Sequence, residues 1–253
     1  MTLDGGQVAT LFLLLMRTTG FVMTAPLFGH RSLPAAVRGG FAVMLAIAIF
    51  PTATVSASAA PIPLAIPIEL LIGTGLGFVL SLGFQAVELA GRVLALQMGL
   101  SLGSVLSPTT REAATPLDPF FATLAGLVFL ALNLHVTMVR VLAQSLTTFP
   151  LGGAWPSDFF LFVAQVTALV IELGVRVAMP LTLSLLLVEL AVALVARAIP
   201  QINVFVLGLP LKVVVGMAVM ALALPALVSG TNQIFNFLIS AAMRGAITQG
   251  AAG

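Results

Sequence analysis

Residues 62–98 read IPLAIPIELLIGTGLGFVLSLGFQAVELAGRVLALQM, an apolar run whose ionisable side chains are Glu69, Glu88 and Arg92 alone. A bilayer crossing takes about 20 apolar residues, so this run is too long for one straight span. It predicts a helical hairpin, a strongly tilted helix or a helix that leaves the bilayer. Residues 159–195 pose the same problem. Further apolar segments fall at 8–28, 39–60, 120–149 and 204–228, with a short amphipathic tail at 231–244. Prolines mark the boundaries, among them Pro51, Pro61, Pro67, Pro150, Pro200 and Pro225.

The whole chain has the same character. Of its 253 residues 60% are hydrophobic and 7% charged, with a mean hydropathy of +1.20. A soluble domain carries about 25% charged residues, and 10 basic plus 8 acidic side chains cannot cover a fold of this size in water. Cysteine and tyrosine are absent and only His30 and His135 are present, which removes most catalytic, thiolate and metal-binding chemistry. The high pI, about 10.5, reflects a net charge of only +2 and no basic run, so nucleic acid is not an expected partner. No basic region precedes the first apolar run, which carries Arg17 in its middle; it reads as a mature membrane segment rather than a signal peptide. No composition break marks a second domain, so residues 1–253 are expected to form one membrane domain. The positive-inside rule, applied to Arg31, Arg38, Arg111 and Arg197, puts both termini outside the cytoplasm if the helices span in the ordinary way.

Nine ionisable residues lie deep in apolar runs: Arg17, Glu69, Glu88, Arg92, Arg140, Glu172, Arg176, Glu189 and Lys212. Each costs about 2.5–3.5 kcal/mol at the centre of a spanning helix. They must pair, or face protein or a wet channel. Glu88–Arg92 and Glu172–Arg176 repeat one pattern, acid four residues before base, the favoured order on a helix face. Local neutralisation that permits burial is the plain reading. A proton or ion relay is the sharper one, opposed by arginine's permanent charge.

Gly73/Gly77 and Gly99/Gly103 have the G-x-x-x-G spacing that lets helices approach closely. The second also fits G-x-S-x-G, but no strand precedes it and a triad would need one of two histidines; it is a chance match. His135 reads as an interfacial or buried hydrogen-bonded residue. Met98 precedes Ser101–Pro119, SLGSVLSPTTREAATPLDP, a polar interruption between apolar helices. It is a surface loop or, if it lines a pore, a movable plug.

The segment Arg197–Lys212, RAIPQINVFVLGLPLK, resembles the R-x-x-P-Q-x-N-V-F-x-x-G-x-P-x-K signature of the FliR family of flagellar export-gate subunits, whose injectisome counterparts are closely similar. Supporting matches run along nearly the whole chain: Arg17 with Ala25–Phe28, Pro34 with Arg38, Glu69 with Gly73 and Gly77, Gly91 with Gln97–Leu100, Phe129–Asn133, and Ser145 with Phe149–Gly152. Leu134 stands where the family has glycine. The 129–152 stretch favours the flagellar branch over the injectisome one.

The resemblance implies an all-α, polytopic membrane protein with long, bent or hairpin helices packed into a larger helical assembly. Its partners would be FliP-like and FliQ-like subunits, with one copy of this chain per complex. Further export-apparatus membrane components and lipid would surround them in the bacterial inner membrane, at the flagellar basal body and raised towards the periplasm. Unfolded flagellar polypeptides would pass through the centre. The loop at 101–119 would contribute to the plug, with Leu102, Val105, Leu106, Pro108, Leu117 and Pro119 as gate residues. Arg17, Arg38, Glu69, Glu88, Arg92, Glu172, Arg176, Arg197, Asn203, Pro210 and Lys212 would serve structure and assembly. No catalytic residue, cofactor or metal is expected. From the residues alone, a secondary transporter or ion channel using the buried carboxylates stays open, although such folds show two related halves and only the matching Glu–Arg pairs echo one.

Overall fold

A computed structural model describes residues 5–26, 34–53, 61–100, 117–153, 159–198 and 204–248. The regular elements among them are helices: α1 (Gly5–Thr24), α2 (Ala35–Ile49) with a 3-10 turn at Phe50–Thr52, α3 (Ile62–Gln97), α4 (Leu117–Ala131), α5 (Leu134–Thr148), α6 (Phe159–Ala198) and α7 (Val204–Thr248). Five are long and apolar enough to cross a membrane, and α4 with α5 makes a sixth if the bent pair counts as one span.

Each overlong run is one unbroken helix. α3 has 36 residues and α6 has 40, so at 1.5 Å per residue they reach about 54 and 60 Å, against a hydrocarbon core about 30 Å thick. The hairpin option is thereby excluded. The tail expected at 231–244 is not separate either, because α7 runs for 45 residues through it. Pro67, Pro180, Pro210 and Pro225 sit inside these helices instead of ending them. Membrane-type helices absorb such breaks because neighbouring groups satisfy the carbonyl freed four residues before each proline.

The apolar segment at 120–149 forms two helices, bent by 70° between α4 and α5. Asn133 makes the break with φ 53° and ψ 34°, a left-handed conformation that asparagine tolerates better than most side chains. α4 starts at Leu117, so Leu117, Asp118 and Pro119 form its first turn.

The chain divides into two compact units interleaved along the sequence. The first comprises residues 1–83, 129–169 and 235–253. Its core includes Leu14, Phe21, Ala65, Ile72, Leu142, Leu146, Leu151 and Phe235, with Phe129 and Phe235 edge to face at 5.8 Å. α2 packs on α1 and buries Ala42, Leu45, Ala46 and Ile49. The second comprises 84–128 and 170–234. Its core includes Val87, Ala90, Leu94, Met98, Phe121, Leu181 and Leu227. Met98 lies against Gly216, and Phe121 fills the space over Gly91.

Candidate functional site

The first unit is organised around a close crossing of α1 and α3. A Cβ on Gly73 would strike the Arg17 carbonyl, one on Gly77 would strike Thr24 and the Phe21 carbonyl, and one on Gly20 would strike the Leu70 carbonyl. The small-residue spacing read at Gly73/Gly77 thus serves this crossing. Across it, the Thr24 hydroxyl donates to the Thr74 carbonyl at 2.9 Å.

The crossing buries two charges from different helices. Arg17 Nε donates to Glu69 Oε2 at 2.5 Å, and both side chains are at most 1% exposed. Arg17 Nη1 reaches the Ser145 carbonyl at 3.2 Å and the Ser145 hydroxyl oxygen at 3.3 Å. That hydroxyl donates its own proton to the Leu142 carbonyl at 2.7 Å. Glu69 Oε1 accepts the Gly152 N–H at 3.0 Å. Gly152 has φ 73°, which favours glycine there. Taking two ions out of water costs several kcal/mol each, and their attraction repays that only with good geometry and further hydrogen bonds. Arg17 on α1, Glu69 on α3, Ser145 in the last turn of α5 and the Gly152 amide in the turn that follows provide both here. Arg17 Nη2 is buried and has no partner among the described residues.

The other expected charges lie differently. Arg92 is 3.5 Å from Glu88 and 3.9 Å from Asp118, a partner the spacing did not suggest, yet its side chain is 64% exposed. Glu172 and Arg176 meet at 2.6 Å and are 51% and 69% exposed. Lys212 on α7 joins Glu189 on α6 at 2.7 Å, with Glu189 also mostly exposed. The i,i+4 pairs form as the spacing predicted, but on exposed faces of α3 and α6 rather than in the core. Arg140 and Arg197 are exposed, Arg38 is half-buried and Pro210 is exposed. Of the expected assembly residues that are described, Arg17 and Glu69 alone are buried.

Of the gate candidates, Leu117 is buried and Pro119 exposed in the first turn of α4. Leu102, Val105, Leu106 and Pro108 lie outside the described residues, as does Asn203. His135 is half-buried, and its Nδ1 has no partner among the described residues. Those residues also contain no cluster of three His, Asp or Glu side chains fit for a metal.

Around the charged pairs, α6 and α7 present broad apolar faces. Phe160, Ile171, Met179, Leu183, Leu187, Leu190 and Leu194 are exposed on α6, and Val214, Met217 and Leu222 on α7. Only 11% of the apolar window of α7 is buried, against 44% of that of α3. Faces of this kind require lipid or protein to cover them.

Residues 8–238 match the family described as bacterial export proteins, family 1. The chain belongs to this family. The flagellar biosynthetic protein FliR of Escherichia coli K12 is 33% identical over 226 residues, covering 88% of this chain and 87% of that protein. FliR of Bacillus subtilis 168 is 32% identical over 234 residues, 90% of each chain. FliR of Aquifex aeolicus is 32% identical over 225 residues, 85% of each. The matched span of this FliR-family chain runs from Val8 in α1 to Leu238 in α7, so the buried pair, the exposed pairs and the bare faces all lie within it.

Sequence reasoning had singled out Arg17 and Glu69 without pairing them, and had missed Ser145 and the Gly152 amide as their ligands. The signal was present only as the Ser145…Phe149-Pro150-Leu151-Gly152 stretch, which gives no hint of what its backbone binds.

Proposed function

We propose that this chain is a non-enzymatic subunit of the flagellar type III export gate. It assembles in the bacterial inner membrane, one copy with FliP-like and FliQ-like subunits, into the channel that unfolded flagellar polypeptides cross. The observation that carries the proposal is the coincidence of a family match over residues 8–238 with long helices whose apolar faces stay exposed among the described residues. On α6, Glu172, Arg176 and Glu189 lie among exposed leucines, Ile171 and Met179. A helix facing only hydrocarbon would bear a heavy cost for these charges; a protein neighbour or a wet lumen removes it. The lengths of α3, α6 and α7 fit an assembly raised out of the bilayer plane better than a set of simple spans.

In this reading residues 101–119 supply part of the plug that keeps the gate closed, with Leu102, Val105, Leu106, Pro108, Leu117 and Pro119 at the seal. Shortening Leu106–Pro116 is expected to leave the complex assembled while ions leak across the membrane of cells expressing it. Conductance unchanged from wild type, in an assembled complex, would remove the plug assignment.

A further inference from the structure

The buried pair does more than neutralise itself. Arg17 spends a guanidinium N–H on the Ser145 carbonyl in the last turn of α5, the end of a helix that carries partial negative charge. Beside it, the Ser145 hydroxyl has already donated to Leu142 and can only accept from Arg17. Glu69 takes the opposite kind of group, the Gly152 N–H. Between these two anchor points lies Leu151, fully buried. Acceptors therefore face the cation and a donor faces the anion.

We propose that Arg17 and Glu69 form a clamp of fixed polarity on the turn between α5 and α6 (Phe149–Gly153), positioning that turn against α1 and α3. The polarity separates a clamp from a plain ion pair. Exchanging the two charges would re-form the pair, but it would set a carboxylate against the Ser145 carbonyl and a guanidinium against the Gly152 N–H. Both contacts become repulsive, so reversal should be worse than having no charges at all.

The test compares Arg17→Glu/Glu69→Arg with the uncharged Arg17→Met/Glu69→Met pair in the full-length protein in membranes. The chain contains no cysteine, so Leu151→Cys introduces a single thiol whose maleimide labelling reports release of the turn. In the otherwise unaltered chain that thiol is expected to label slowly, and Glu69→Gln should speed labelling at least ten-fold. The reversed pair should label no more slowly than Glu69→Gln and accumulate at least three-fold less than the Met pair. The abundance ranking holds even if the reversed chain fails to fold. Reversed protein as abundant as the Met pair, or a thiol as protected as in the unaltered chain, would overturn the clamp.

Discussion

In one unit of the molecule an acid and a base 52 residues apart meet between two helices and are sealed from solvent; in the other, acids and bases pair along α3 and α6 or between α6 and α7 and stay largely in view. The two kinds of pair answer different problems. The Arg17–Glu69 pair is solved within the chain, by a glycine-lined helix crossing and by backbone groups of the α5–α6 turn. The pairs of the second unit are only half solved: each partner finds a counter-charge, but the apolar faces around it have no cover among the described residues. A helix can be finished by its own fold or left to be finished by its neighbours, and this protein does both.

That contrast can be broken most forcefully at Glu69. Glu69→Ala strands a buried guanidinium, a change that typically costs about 3–5 kcal/mol. The expected outcome is loss of most folded protein, read as abundance in membranes and as thermal unfolding in detergent. Next in size is Gly73→Val. The new side chain meets the Arg17 carbonyl at the tightest point of the crossing, and overpacking of this kind costs about 1–3 kcal/mol; a lowered melting temperature measures it. Smaller still is Lys212→Met, which removes the counter-charge of the mostly exposed Glu189. Exposed pairs contribute about 0–1 kcal/mol, so stability of the isolated chain should hardly move. The smallest effect on the isolated chain belongs to Glu172→Gln with Arg176→Gln, expected within about 0.5 kcal/mol. This last variant sharpens the comparison, because yield of the assembled gate, measured by co-purification of partners, should fall although the chain itself is unharmed. Equal losses of stability from Glu69→Ala and from the Glu172/Arg176 variant would abolish the distinction between the two units.

Much of this was legible in the sequence, for stated reasons. Hydropathy alone dictates long membrane-type helices, and the Gly73/Gly77 spacing marks a close approach whatever its partner. The Glu–Arg spacing dictates the i,i+4 pairs, because both residues ride on one helix face. What the sequence could not show depends on geometry beyond one helix. Nothing local pairs Arg17 with Glu69, or selects Ser145 and the Gly152 amide as their ligands. The prolines misled in the same way: Pro67 and Pro225 look like boundaries, yet the helices continue through them because tertiary packing outweighs local preference. The real break, at Asn133, carries neither proline nor glycine and was hidden in an apolar run. Burial of the exposed pairs was misjudged because an apolar neighbourhood in sequence does not say whether the chain or something else covers it.

The measurement that bears most directly on the account is the native mass of the detergent-solubilised protein, co-expressed with the products of its neighbouring genes. The expected result is a discrete heteromeric complex containing one copy of this chain, in which the bare faces of α6 and α7 become protected from solvent labelling. A monomer or a homodimer, with those faces still accessible under the same co-expression, would contradict it.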